Sequence, residues 1–274
     1  MDIEAKKARL ADSLKKYDRL LVAFSGGVDS TLLAVMARQV IGPEVVALTA
    51  ASPIHSPREI EHARQLADKL GLRHIMLQSQ EMLQPDFIAN RPDRCYVCKK
   101  LLFEEIFKRA RELGIDTVAH GANLDDLKDY RPGQRAADEM NIVAPLMDAG
   151  LNKNDVRQMA RALGLENWDR AAGACLASRI PYGKTITTQN LKMVAQAEEI
   201  LQDLGFAACR VRHHGQVARI EVPAPHIEKL VHKSLRLSIV DRLRGVGYVH
   251  VAIDLAGYHQ GSMNQGLEGE DTLK

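Results

Sequence analysis

The chain carries almost no excess of either charge: 37 Lys and Arg stand against 35 Asp and Glu in 274 residues, a formal net charge of +2. So even a balance gives no global attraction to nucleic acid or anionic lipid, and any anion site must be local. Long apolar runs are missing too, none reaching the length of a bilayer span. The opening MDIEAKKARLADSLKKYDRL mixes acids and bases along an amphipathic helix and lacks the apolar stretch and cleavage site of a secretion signal. These absences favour the cytoplasm, without a membrane partner. There thiols stay reduced, so a CxxC pair among the four cysteines points to metal or redox chemistry more than to structural disulfides. Internal repeats and low-complexity tracts are absent.

What is present is 46% hydrophobic residues, enough for a large core and a second, smaller one. Between residues 18 and 148 short apolar runs alternate with helical periodicity, which predicts an α/β fold with a parallel sheet covered on both faces. Strands are expected over 19–24, 45–49, 74–77, 117–120 and 141–144, with helices over 30–40, 57–70, 99–113 and from 153 to just before Gly164. An irregular loop over 167–184 holds the only Trp, a Cys, two Arg and a Pro, a texture more often functional than idle. Beyond it the expectation is a helix over 188–204, a hairpin turning at His213-His214-Gly215-Gln216, a helix over 226–244 and a strand over 248–255. The domains are therefore drawn as 1–180, an α+β module over 181–262, and a polar, mobile tail over 263–274.

The first strand runs straight into Ser25-Gly26-Gly27-Val28-Asp29-Ser30-Thr31 at a helix start, where unpaired backbone N–H groups and the positive end of the helix dipole hold phosphate. Gly26 and Gly27 let the main chain approach an oxygen; Ser25, Ser30 and Thr31 offer hydroxyls; Asp29 is placed to hold Mg²⁺ or shape the loop. The Lys of a Walker loop is missing. His120-Gly121-Ala122-Asn123-Leu124-Asp125-Asp126 follows the fourth strand, at the carboxyl edge where parallel sheets bind ligands. Asn123, Asp125 and Asp126 could meet a nucleotide or its metal, or merely cap a helix.

Cys95 and Cys98 have the spacing to converge on one metal, and Cys175 lies in the irregular loop. Three cysteines without an obvious fourth ligand suit a [4Fe-4S] cluster with one open iron; a redox pair and buried thiols are the alternatives. Cys209, on a strand, reads as core. Ser178, Arg179, Arg210 and Arg212 could form a cationic phosphate seat, since Arg grips phosphate through paired donors, although Arg210 and Arg212 equally suit one solvated strand face.

SGGVDS after a buried strand resembles the pyrophosphate loop of the ATP-pyrophosphatase, or PP-loop, family, whose adenine nucleotide alpha hydrolase-like fold this implies. Within it, SGGVDST, GANLDDLKDYRPG over 121–133, WDRAAGACLASRIPYG over 168–183, RVRHHGQVARIE over 210–221 and the closing VAIDL, Gly257-Tyr258 and Gly261-Ser262 resemble the LarE-type sulfur transferases that build the nickel-pincer cofactor of lactate racemase. That resemblance implies ATP and Mg²⁺, with Lys153 as the phosphate-side lysine. It implies adenylation of a carboxylate on a pyridinium mononucleotide, then conversion to a thiocarboxylate. The family holds two sulfur donors: a [4Fe-4S] cluster on three cysteines, which this chain's Cys95, Cys98 and Cys175 favour, or a single sacrificed cysteine at Cys175. A sulfur source and a homo-oligomer, up to a hexamer, are further implications. The rivals are a tRNA thiolation enzyme, against which the even charge counts, and an ATP-binding sensor without chemistry.

Overall fold

The computed structural model describes residues 2–128, 132–170 and 173–259. It divides into two compact units, Met1–Phe87 with Pro92–Gly173, and Ile88–Arg91 with Ala174–Lys274. The second unit thus borrows four residues from the middle of the first, which no linear cut of the sequence anticipates. The tail expected over 263–274 lies outside the described residues, as do Gly261 and Ser262.

In the first unit the order is α1 (Ile3–Leu14), β1 (Leu20–Ala23), α2 (Val28–Ile41), β2 (Val45–Ala51), α3 (Pro57–Lys69), β3 (Arg73–Gln78), the single turn α4 (Pro85–Ile88, its last residue counted with the second unit), α5 (Arg94–Glu112), β4 (Val118–Ala119), α6 (Pro132–Glu139), α7 (Pro145–Asp148) and α8 (Lys153–Ala162). The four strands are parallel in the order β3-β2-β1-β4. Side chains of the central strands alternate between two cores, as a period of two requires. Leu20, Val22, Val45 and Ala47 pack with α1, α2, α3 and α8, whereas Leu21, Val46 and Leu48 pack with α5 and α6. This is the predicted α/β sheet with both faces covered. The strand expected over 141–144 is only a parallel bridge between Ala119 and Val143.

Local signals set the helix starts. Pro57 occupies the first turn of α3 and Ser56 Oγ accepts from Glu59 N at 3.4 Å. Asn152 and Asp155 close a reciprocal capping box on α8. Two starts come earlier than expected: α2 begins at Val28 instead of residue 30, and α5 at Arg94 instead of residue 99, so both Cys95 and Cys98 are helical. Tertiary contacts hold that extra turn in place, with Tyr96 packed into the second core, its hydroxyl donating to Glu139 at 2.6 Å and the Arg135 guanidinium 3.9 Å above its ring.

The second unit contains α9 (Thr188–Asp203), β5 (Arg210–His214), β6 (Val217–Glu221), α10 (Ile227–Val231), α11 (Lys233–Val246) and β7 (His250–Ile253). β5 and β6 form the expected hairpin, Arg210 opposite Glu221, and β7 joins parallel to β6. The helix expected over 226–244 is two helices, because His232 is extended (φ −58°, ψ 133°) and breaks the run. Their apolar faces close on Phe206, Cys209, Val211, Ile220 and Tyr248. The deep position of Cys209 pushes its thiol up to about 12, the behaviour of a core residue.

Candidate active site

In the order β3-β2-β1-β4 the chain moves one way from β1 to β2 and returns to the other side of β1 for β4. Ligands in open parallel sheets sit outside the carboxyl ends of the strands at such a switch. Two loops meet there, the one after β1 (Phe24 to Gly27) and the one after β4 (His120 to Asn123). Their approach is close enough that a Cβ on Gly121 would fall 2.8 Å from Ser30 N. Gly26 is constrained similarly: its φ is +71°, and a Cβ would lie 3.0 Å from Ala63 Cα on α3.

The hydroxyls of the first loop turn inward. Ser30 Oγ donates to Gly27 O (3.1 Å) and accepts from Ser25 N (3.2 Å), and Thr31 Oγ1 donates to Gly27 O (2.9 Å). Ser25 Oγ accepts from Gly27 N at 3.3 Å. Ser30 and Thr31 are buried, so they shape the loop, and the N-terminal N–H groups of α2 are what remain for an anion.

Asp29, half-buried on the first turn of α2, accepts from Asn123 Nδ2 at 3.0 Å and pairs with the Lys153 ammonium. Lys153 N in turn donates to Asp125 Oδ2 (2.8 Å), Asp125 N to Asn123 Oδ1 (3.0 Å), and Asn123 N to Asp126 Oδ2 (2.9 Å). The residues drawn from the two motifs and from α8 therefore form one network around Asp29. His120, against the Phe103 ring, is lowered to about 4 by burial and then by the charge of Lys99, so it is neutral at pH 7. Sequence reading passed over Asn167 as an individual. It is buried and donates from Nδ2 to Gly26 O and Thr31 Oγ1, both at 2.9 Å.

Cys95 is exposed and Cys98 half-buried, three residues apart in the first turns of α5. Cys175 belongs to the second unit and caps the 3-10 turn Leu176–Arg179. Among the described residues no three His, Cys, Asp or Glu gather as a metal-holding group. In the second unit Arg179 forms a two-pronged pair with Glu198 (2.8 and 2.9 Å) and also donates to the carbonyls of Ala174 and Cys175. Arg212 pairs likewise with Glu221 (2.9 and 2.7 Å) and donates to Ser178 O. Arg210 stacks over the Tyr258 ring at 5.2 Å, and Ser178 Oγ donates to Cys175 O at 2.8 Å. Glu198 and Glu221, which anchor the two arginines, left no signal in the sequence because each lies many residues from its partner.

The switched parallel sheet, the glycine pair ahead of α2 and the acidic network beside it define an ATP-dependent enzyme of the PP-loop class. The NAD synthase family profile matches residues 3–95. The pyridinium-3,5-bisthiocarboxylic acid mononucleotide synthase of Lactiplantibacillus plantarum is 38% identical over 267 residues, 97% of this chain and 96% of that protein. An uncharacterized Synechocystis protein is 41% identical over 265 residues, 97% and 99% of the two chains. A tRNA-specific 2-thiouridylase of Beijerinckia indica is 29% identical over 203 residues, 61% of this chain and 47% of that one. The chain belongs to the family of the Lactiplantibacillus synthase and is an ATP-dependent, adenylating sulfur transferase.

Proposed function

We propose that the enzyme adenylates a carboxylate of a pyridinium mononucleotide and converts it to a thiocarboxylate in the making of a nickel-pincer cofactor. The observation that carries this is likeness along nearly the full length of both chains to a protein named as the bisthiocarboxylic acid mononucleotide synthase. In the first step a carboxylate oxygen bonds the α-phosphorus of ATP and the bond to the β-phosphate oxygen breaks. Pyrophosphate leaves, its charge met by the N–H groups around Gly26 and Gly27, by Ser25 and by Lys153. Mg²⁺, when bound, shields the phosphate charge, and Asp29, with Asn123, Asp125 and Asp126 behind it, offers the oxygen ligands it prefers. The second step replaces AMP on the acyl carbon by sulfur.

Cys95, Cys98 and Cys175 would hold a [4Fe-4S] cluster, whose chemistry is to carry the sulfur to be transferred from a separate source. Two of these ligands share one helical turn, which fits such a group. The substrate phosphate would lie against Arg210 and Ser178, with Arg179 and Arg212, each paired to its carboxylate, completing the seat by holding the backbone around Cys175 and Ser178. The enzyme would act in the cytoplasm as a homo-oligomer.

The test is anaerobic purification of wild type and Cys98→Ala with an iron count and visible spectrum, followed by ATP, Mg²⁺ and the carboxylated mononucleotide. Iron in the wild type, its loss in the variant, and substrate-dependent AMP and pyrophosphate are expected. A colourless wild type whose Cys175 loses sulfur on turnover would mean a sacrificed cysteine instead. Co-purifying tRNA that survives moderate salt would point to tRNA thiolation.

A further inference from the structure

We propose that Asn167 is a positioning residue for ATP cleavage, holding the Gly26–Gly27 peptide so that its N–H is presented to the departing pyrophosphate. This rests on the reading that the loop after β1 binds that end of ATP. Asn167 is 3% exposed, and its Nδ2 lies 2.9 Å from both Gly26 O and Thr31 Oγ1. The orientation of the carboxamide is fixed by its partners. Gly26 O can only accept, and the Thr31 hydroxyl proton is directed to Gly27 O at 2.9 Å. Flipping the amide would set oxygen against oxygen. The remaining Oδ1 is buried with no hydrogen-bond partner among the described residues. A side chain kept only to fill this space would not bring an unsatisfied acceptor with it.

What the two bonds accomplish follows from peptide geometry. In a trans peptide the C=O and N–H point in opposite directions. Anchoring Gly26 O therefore directs Gly27 N–H away from Asn167, to the side where Ser25 Oγ sits 3.3 Å from it. Two consecutive glycines offer little resistance to rotation of the peptide between them, and a rotated peptide would offer a carbonyl in place of the N–H. The bond to Thr31 ties the same clamp to the first turn of α2. Asn167 thus supplies rigidity that the glycine pair, required here for close approach and for φ +71° at Gly26, does not have.

The experiment compares full-length wild type, Asn167→Ala and Asn167→Asp for substrate-dependent pyrophosphate release, and for binding of pyrophosphate and of AMP. Release and pyrophosphate affinity are expected to fall about 10- to 100-fold in both variants, with AMP affinity unchanged. In Asn167→Asp the ratio to wild type should recover in part as pH falls, because a carboxyl held between two acceptors keeps its proton to higher pH and its single O–H can then restore the bond to Gly26 O, one of the two that the amide made. Variants as active as wild type would overturn the assignment. So would an equal loss of AMP and pyrophosphate binding, or an Asp variant whose deficit is the same at every pH. Should Asn167→Ala fail to fold, the near-isosteric Asp variant carries the comparison. A wild type that releases no pyrophosphate would instead defeat the underlying reading of the loop.

Discussion

The two units treat charge in opposite ways. In the first, the Lys153–Asp29 pair sits half-open to solvent at 28% and 21% side-chain exposure, linked to loops that end strands. In the second, Arg179–Glu198 and Arg212–Glu221 are sealed, at 3% and 7% and at 6% and 1%. A sealed fork that also donates to the carbonyls of Ala174, Cys175 and Ser178 fixes backbone, because its geometry leaves the charges no alternative partner in water. A half-open pair can exchange partners when a phosphate arrives. The first arrangement suits chemistry and the second suits holding a loop in place.

The contrast can be broken experimentally. Glu198→Ala removes the carboxylate that faces the buried Arg179 guanidinium and should cost about 3–5 kcal/mol of stability by urea denaturation. A loss near that of an exposed pair would dissolve the distinction. Lys153→Ala should act on the other axis, lowering pyrophosphate release about 100-fold while changing stability by about 1 kcal/mol or less. The third effect is a pH dependence, spread between pH 6.5 and about 4 instead of appearing at neutral pH. His120 is held neutral to about 4 in the folded chain and titrates near 6.5 when unfolded, so the unfolded state binds the extra proton. Its contribution is complete above pH 6.5 and is lost as pH falls toward 4, by at most about 3 kcal/mol. His120→Gln should flatten that part of the stability profile, and an unchanged slope would show that the other buried histidines carry it.

The sheet and the glycine loop were legible in the sequence because parallel strands buried on both faces read as short apolar runs, and because a helix opening directly after Gly26-Gly27 has few alternatives. The start of α5 was not. Its first turn depends on Tyr96 meeting Arg135 and Glu139, contacts some forty residues distant that no local pattern encodes. The break at His232 was hidden for a related reason, since the apolar spacing continues across it. Among the site residues, Asp29, Asn123 and Lys153 could be named from their motifs, but their mutual bonds could not. Ser30 and Thr31 were expected to face a ligand and instead turn their hydroxyls onto the Gly27 carbonyl, which also accepts from Thr31 N at 3.0 Å.

Residues 88–91 carry a last consequence. Asn90, fully buried with φ +56°, donates to the carbonyls of Ile180, Pro181 and Lys184, and Ile88 O accepts from Ile186 N. The polypeptide consequently crosses between the units at three places instead of one. No single scissile bond separates them: a protease nick or gene truncation near residue 173 would liberate a C-terminal piece stripped of the plug that satisfies three of its carbonyls. A cut there removes Asn90 from the unit whose carbonyls it satisfies.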